Sequence, residues 1–407
     1  MKRIIPVLFC LLFSSVIISQ NREYYSGHEL VDKFNELQSE ITEAISGEDY
    51  KSAEIRAFEA INFFSTLPPE IRNKYRQILA NNYYHLACIY SLQKDNNKAI
   101  TSFEKAIDLG FLNYAHARKD TDLDYIRNEK QFKALMDKVR PLGDYQYILK
   151  QDGEYIPKDN QSSFPRFVYE TASSKNLQKV REYFNLDSIA GSGDEVSKMI
   201  NVMTWVHNSI PHHGNGWPVS ELDAIDIYNY SKANNKALNC KAISIVLNEC
   251  YLSMGFKSRI VACYPKNEDD FESHVINTVF SRTLNKWLWM DATFNAYLED
   301  DNGNLLSIAE VRESLINDSP LILNEDANWN NISWNKEQYF DNYMTRFLYW
   351  FRCPVRSVFN AETEYRETNV DYISLMPVGY DNVKRETGNN YTTNDSEYFW
   401  QNPDMPE

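Results

Sequence analysis

The sequence predicts an α+β protein in which helical segments precede a core that packs one helix on an antiparallel sheet. Apolar residues follow helical spacing up to about residue 140 and again in "ALNCKAISIVLNEC", residues 237–250. Three short runs rich in β-branched and aromatic residues come next, "FKSRIVACY", "HVINTVF" and "KWLWMDATF". Because turn-like stretches separate these runs, we expect them to form neighbouring strands.

The first 19 residues have the organisation of a secretory signal peptide. Lys2 and Arg3 precede an apolar run, and Ser19 before Gln20 offers a small residue for cleavage. The apolar run is shorter than a membrane-spanning helix requires, and no later run reaches that length. We therefore expect export to a bacterial periplasm, a cell surface or the medium, without stable insertion in a membrane.

The charge of the chain excludes one class of partner. The sequence has 42 lysines and arginines against 57 aspartates and glutamates, which gives a formal net charge of −15 at pH 7. So acidic a surface repels the phosphate backbone of nucleic acids. Binding to nucleic acid is therefore not expected.

Residues 28–140 are expected to form helical repeats. In "ANNYYHLACIYSLQKDNNKAITSFEKAIDLGF" apolar residues recur at the offsets at which the two helices of a hairpin meet. These residues are Tyr83, Leu86, Ala87, Tyr90, Ala99, Phe103 and Ala106. The pattern resembles a tetratricopeptide repeat, except that Phe111 replaces the usual closing proline. "GEDYKSAEIRAFEAI" repeats its second helix, and the segment around "DLDYIRNEKQFKALMDKV" looks like a cap. Since two repeats are few for a stable array, we expect this part to be supported by the next domain, to bind a protein partner, or both.

The rest of the chain divides into three ranges. Residues 141–175 are rich in turn formers and are expected to be a linker. Residues 176–325 contain the predicted sheet and helix, and Ser307 with Glu310 forms a capping box that opens a further helix. Residues 326–407 are polar and aromatic, and we expect this extension to pack on the core.

Cys240 and Cys250 lie ten residues apart on one predicted helix. A rise of about 1.5 Å per residue separates their Cα atoms by about 15 Å, whereas a disulfide needs them within about 7 Å. They cannot pair with each other. Cys250 lies within the apolar stripe, as a buried and inert thiol would. Cys240 lies in the first turn, where the helix dipole favours a thiolate, and it is the candidate nucleophile.

Five cysteines remain after signal cleavage, an odd number, so at least one is unpaired. The sequence leaves open whether the others pair. They are Cys88, Cys250, Cys263 and Cys353.

A thiol nucleophile needs a base within hydrogen-bonding reach, and the base needs an orienting partner. His274 opens the run "HVINTVF", and Asp291 closes "KWLWMD". A hairpin of these strands would place both side chains at one end of the sheet, where the Cys240 helix could meet them. His274 would then activate the thiol, and Asp291 would hold the imidazole in the useful tautomer.

This order of residues resembles the transglutaminase-like superfamily over about residues 195–320. The matching pieces are Cys240 opening a helix, Gly255 with Arg259 just beyond it, His274 opening a strand, and Trp287 or Trp289 in a strand that ends in Asp291 with Thr293. The resemblance implies a papain-like fold, with Cys240, His274 and Asp291 as the catalytic triad. Leu238 and Val275 depart from the family's usual glycine and alanine, which bears on the substrate and the acyl acceptor.

Other polar groups were considered for the same site. Trp217 is a candidate to line the cleft or to donate its indole N–H to an oxyanion, with core packing as the alternative; the backbone N–H of Cys240 is a second donor. His207, His212 and His213 lack further ligands at metal-binding spacing, and "LEDDNGNLLS" does not have the spacing of a calcium loop. No metal and no cofactor are therefore expected.

Two functions follow from this interpretation. The first is an exported thiol enzyme that forms a Cys240 thioester from a protein or peptide substrate, with water or an amine as acyl acceptor. The second is a non-catalytic scaffold in which the repeats and a degenerate papain-like domain bind protein partners. The reactivity of Cys240 in the folded protein distinguishes the two.

Cys240 is expected to be a free thiol in the mature protein, while Cys250 stays buried and unmodified. The reason is their separation and position on one helix. Alkylation of the native protein followed by peptide mass mapping checks both residues. Recovery of Cys240 in a native disulfide would exclude it as the nucleophile.

Overall fold

The computed structural model describes residues 27–156, 158, 164–218, 220–341, 343–362, 371–381 and 389–404. The expected signal peptide, residues 1–19, lies outside them. The chain divides into two compact units, Met1–Ile148 and Leu149–Glu407. Among the described residues, no helix combines the length and apolar character needed to cross a bilayer.

The first unit is built from helices. They are α1 (Gly27–Ser46), α2 (Tyr50–Thr66), α3 (Pro69–Lys74), α4 (Arg76–Leu92), α5 (Asn96–Asp108), α6 (Tyr114–Lys119), a 3-10 turn (Thr121–Leu123), α7 (Lys130–Gly143) and the start of α8 (Tyr145–Asp152). Helices α1 and α2 form one hairpin, and α4 and α5 form a second.

The two hairpins turn in the same way. Glu48 and Lys94 both adopt a positive φ, near 60°, just before an aspartate. Asp49 and Asp95 then cap α2 and α5 by accepting a hydrogen bond from the backbone N–H three residues on. This shared geometry agrees with the internal repeat that the sequence indicates.

Small residues allow close packing inside these hairpins. The residues at the expected hairpin offsets are buried except Tyr83, which is partly buried and packs against the same core. Phe111 stacks on Tyr84 with ring centroids 4.3 Å apart, so an aromatic contact holds the chain after α5.

The second unit combines helices with a six-stranded sheet. Its helices are α9 (Lys175–Phe184), α10 (Leu186–Ala190), α11 (Glu195–Ser209), α12 (Ala224–Asn234), α13 (Cys240–Ser253), α14 (Ile308–Ile316) and α15 (Lys336–Phe340), with short turns at Met344–Phe347 and Ser396–Phe399. Its strands are β1 (Val168–Tyr169), β2 (Ser258–Tyr264), β3 (His274–Ser281), β4 (Lys286–Met290), β5 (Leu298–Glu299), β6 (Ile322–Leu323), β7 (Asn328–Trp329), β8 (Ile332–Ser333), β9 (Trp350–Pro354), β10 (Arg356–Ser357), β11 (Asp371–Leu375) and β12 (Asn389–Thr393).

The main sheet has the order β12-β11-β9-β2-β3-β4. All its neighbours are antiparallel except β11 and β12. The strands β2, β3 and β4 coincide with the three expected runs, and Ser307 and Glu310 form the expected capping box before α14. The fold class is therefore α+β, as the sequence predicts.

The ranges outside the predicted core also contribute elements. Residues 326–407 supply β9, β11 and β12 to the main sheet. The range 141–175 contains the whole of α8 and also β1, which pairs with β10 in parallel.

Helix α13 lies against β2 and β3 and is buried from Ala242 to its end. Two hydrogen bonds fix it to β3: Ser244 Oγ donates to the carbonyl of Val275 at 3.0 Å, and Asn277 Nδ2 donates to the carbonyl of Ser244 at 3.0 Å. The start of this helix is thereby held at the end of β3 where His274 lies.

Arg259 on β2 is a buried cation, only 1% exposed, within the aromatic core. Its guanidinium lies 4.4 Å from the ring centroids of both Phe167 and Trp287, and Nη1 donates to the carbonyl of Phe399 at 2.8 Å. Cation–π contacts in the absence of water contribute about 2 kcal/mol or more. Arg259 therefore connects the segment around Phe399 to strand β2 of the sheet.

Replacing Arg259 by lysine is expected to lower the free energy of unfolding by about 2 kcal/mol or more, because an ammonium group cannot stack on two rings. Urea unfolding followed by tryptophan fluorescence measures it, since all eight tryptophans lie in the second unit. The matched control is Arg282→Lys, because Arg282 is 65% exposed, and a change within about 0.5 kcal/mol is expected there. Equal effects of the two substitutions would contradict the structural role of Arg259.

Candidate active site

Cys240 is the first residue of α13, as the sequence predicts, and its side chain is partly exposed. Asn239 caps the helix by accepting a hydrogen bond from the N–H of Ala242. The segment before the helix is fixed by backbone hydrogen bonds to residues 211–216, among them Asn239 N–H to the carbonyl of Gly216 at 2.6 Å. A side chain at residue 216 would lie 2.1 Å from the carbonyl oxygen of Ala237, so only glycine allows this approach.

His274 and Asp291 meet at one end of the sheet. His274 opens β3 and Asp291 follows β4, and both are fully buried. The Nε2 of His274 lies 2.8 Å from Oδ2 of Asp291, while Oδ1 of Asp291 accepts the N–H of Thr293 at 2.9 Å. The backbone N–H of Thr293 thus orients the carboxylate of Asp291, and that carboxylate holds the imidazole of His274.

Two tyrosines complete the surroundings of this pair. Tyr339 donates its hydroxyl to Oδ2 of Asp291 at 2.8 Å, and the hydroxyl of Tyr343 lies 3.0 Å from Nδ1 of His274. Burial raises the pKa of both tyrosines well above the ordinary value, with the charge of Asp291 adding to the effect. Both hydroxyls are therefore neutral.

Two histidines, His212 and His274, act on the thiol of Cys240. Burial alone would raise the pKa of the thiol, but hydrogen bonding to these histidines and the positive charge on His274 lower it to about 6. Burial acts to lower the pKa of His274, yet the charge and hydrogen bond of Asp291, followed by those of Cys240, raise it to about 10. Near neutral pH the arrangement favours a thiolate beside an imidazolium.

The other histidines considered from the sequence lie in different places. His207 is buried, with Nδ1 2.9 Å from the carbonyl of Ala292 and Nε2 2.9 Å from Oδ1 of Asn328. His213 is exposed. The three histidines thus have separate surroundings, and only His212 contacts Cys240.

Trp217 is partly buried against the core of the second unit. Its ring centroid lies 6.0 Å from Nζ of Lys241, the residue after Cys240. Trp217 is therefore near the start of α13, and its role as an oxyanion donor stays a prediction.

The sequence did not assign four residues to the surroundings of Cys240, His274 and Asp291. They are His212, Trp329, Tyr339 and Tyr343. Three of them lie in the aromatic extension, up to about 100 residues after Cys240. The aromatic richness of that extension was the available signal, but it does not say which ring approaches the site.

Comparisons with known proteins give little beyond this geometry. No protein-family model and no curated protein matches the chain. A solved structure from Cytophaga hutchinsonii, provisionally described as a cysteine protease, is similar at 16% sequence identity with a TM-score of 0.23. The match covers 39% of this chain and 50% of that chain, so this chain spans about half the length of that protein. A likeness of this size does not establish an activity.

The alkylation rate of Cys240 is expected to reach half its maximum near pH 6, because the lowered pKa keeps the thiolate present above that pH. An ordinary thiol would reach it near pH 8.5. Iodoacetamide labelling across pH, with mass quantification of the Cys240 peptide, measures the midpoint.

In His274→Ala the midpoint should move upward, because a hydrogen bond and a positive charge are lost. The matched control is His213→Ala, an exposed histidine, which should leave the midpoint unchanged. A wild-type midpoint in the ordinary thiol range would contradict the thiolate–imidazolium pair.

Proposed function

We propose that this protein is an exported, transglutaminase-like thiol enzyme that acts on amide or peptide acyl groups through a Cys240 thioester. The observation that carries the proposal is the 2.8 Å contact between the His274 imidazole and the Asp291 carboxylate, at the end of β3 to which the first turn of the Cys240 helix is held. The lowered pKa of the thiol and the raised pKa of its histidine partner support a nucleophile and a general acid in the same place.

Acylation follows from the protonation states. The Cys240 thiolate attacks the carbonyl carbon of an amide, and the C=O electron pair moves to oxygen. When the tetrahedral intermediate collapses, the carbon–nitrogen bond breaks and the imidazolium of His274 protonates the departing amine. The products of this step are a free amine and a thioester on Cys240, with a neutral His274.

Deacylation returns the enzyme to its starting state. Neutral His274 removes a proton from water or from an acceptor amine as that group attacks the thioester carbon. The carbon–sulfur bond then breaks, which regenerates the thiolate beside the imidazolium. Water gives a carboxylic acid, and an amine gives a new amide. Asp291 stabilises the charged form of His274 that both half-reactions use.

Partial exposure of Cys240 supports access for an extended peptide. Cys240 as a residue is partly exposed, while His274 and Asp291 are 0% exposed, so the proposal has the substrate approach Cys240 from solvent while the polar pair stays away from water. Export is supported by the signal-like residues 1–19.

The helical hairpins α1/α2 and α4/α5 support a further part of the proposal. Their sequence resembles tetratricopeptide repeats, which commonly present a surface to another protein. In this proposal they bind a protein partner or a protein substrate.

Incubation of the protein with p-nitrophenyl acetate and with peptide amides is expected to produce an acyl adduct on Cys240, detected by mass spectrometry, and none in Cys240→Ala. Asp291→Asn should reduce the acylation rate on the order of 10² or more at an unchanged melting temperature, because asparagine keeps the shape but removes the charge. The matched control is Asp301→Asn in an exposed hairpin. Full activity with a lowered melting point would make Asp291 structural.

Addition of a primary amine to the acyl adduct distinguishes hydrolysis from transfer, by release of acid or formation of a new amide. A folded protein whose Cys240 stays inert to both alkylation and acylation would instead favour the non-catalytic scaffold.

A further inference from the structure

The hydrogen bonds of His212 fix which of its two ring nitrogens carries the proton. The indole Nε1 of Trp329 lies 2.9 Å from Nδ1 of His212. An indole N–H can only donate, so Nδ1 must be the acceptor. The ring proton of His212 therefore lies on Nε2, the nitrogen left to face Cys240.

A hairpin from the aromatic extension holds His212 in this orientation. Strands β7 and β8 are joined by Asn330 and Asn331, both at positive φ, as a tight two-residue turn requires. Asn330 also binds the backbone of His212 twice, because Oδ1 accepts its N–H and Nδ2 donates to its carbonyl, each at 2.8 Å. Three hydrogen bonds thus fix both the backbone and the ring.

The backbone on either side of His212 is also hydrogen-bonded to Leu238, which lies two residues before the start of α13. The N–H of Leu238 donates to the carbonyl of Pro211 at 2.8 Å, and the N–H of His213 donates to the carbonyl of Leu238 at 2.8 Å. These contacts hold the backbone of His212 beside Leu238, close to the start of the helix that Cys240 opens. Such a preorganised donor has the properties that stabilise a developing charge.

We propose that His212, in its neutral Nε2–H form, is the side-chain oxyanion donor of the site and that Trp329 is the positioning residue that fixes its tautomer. The proposal rests on the proposed thioester chemistry and names its substrate class as carbonyl compounds that pass through a tetrahedral oxyanion.

Charge movement during acylation explains why this donor helps the reaction. In the resting site the Nε2–H of His212 faces the thiolate sulfur. As sulfur bonds to the carbonyl carbon, its negative charge moves to the carbonyl oxygen, and the N–H of His212 can follow it together with the backbone N–H of Cys240. No proton leaves His212, and the oxyanion donates its electron pair back when the amine departs.

Two reactions of Cys240 separate this role from a role in forming the thiolate. Acylation by p-nitrophenyl acetate forms an oxyanion, whereas alkylation by iodoacetamide displaces iodide and forms none. Both are measured on the full chain at a pH where the thiol is fully ionised.

The expected result for His212→Ala is a 10²- to 10³-fold loss of the acylation rate, typical of a lost oxyanion donor, at an unchanged alkylation rate. His212→Gln, which keeps an N–H donor, should recover much of the acylation. Trp329→Phe removes the indole donor and keeps a ring, and should cost acylation about 10- to 100-fold. The ¹⁵N shifts of the His212 ring should show the proton on Nε2 in the wild type and a mixture of tautomers in Trp329→Phe. The matched control, His213→Ala, should behave as the wild type in both reactions.

The contrary outcomes are distinct. Since the thiol is fully ionised at this pH, equal losses of acylation and alkylation in both His212 variants would assign His212 to holding the thiolate in place rather than to the oxyanion, and would overturn the proposal. Loss of acylation in Trp217→Phe but not in His212→Ala would make Trp217 the donor and also overturn it. In either case, acylation by the wild type leaves the proposed thiol chemistry standing. A wild type that is alkylated at Cys240 but never acylated overturns both proposals.

Discussion

Burial of the His274 imidazole removes it completely from water, and a positive ring there would be costly without the carboxylate of Asp291 at 2.8 Å. This contact raises the pKa of His274, and the charged ring in turn lowers the pKa of Cys240. Asp291 is itself held by Thr293 and Tyr339. The reactivity of the thiol therefore depends on a carboxylate that it does not touch.

The same physical chemistry gives opposite results at the other cysteines. Among the described residues all five cysteines are free, and four of them are buried. Burial raises the pKa of those four thiols, since little compensates for the lost hydration of a thiolate. The pKa of Cys240 is lowered instead, because hydrogen bonding to His212 and His274 and the charge on His274 outweigh the effect of burial. Among the described cysteines the arrangement therefore favours a thiolate at Cys240 and a protonated thiol at the other four.

The aromatic extension contributes to the structure of the second unit. It contributes β9, β11 and β12 to the main sheet, and it provides Tyr339 and Tyr343 around His274. It also provides the hairpin that fixes His212. A site formed from segments this far apart in sequence is assembled only when the sheet is complete, so formation of the thiolate is coupled to folding of the whole second unit.

The sequence by itself determined the elements whose signals are local: the periodicity of α13, the strands β2, β3 and β4, and the capping box at Ser307. It also placed Cys240 at the first turn of its helix. It excluded a disulfide between Cys240 and Cys250 as well, because ten residues of helix hold their Cα atoms too far apart. Only the tertiary structure decided which partners surround the triad. No local pattern in the sequence assigned His212 to this site, because its orientation depends on a hydrogen bond to Trp329, 117 residues away. Contacts across such separations depend on how strands pair in space, and no local spacing in the chain encodes them.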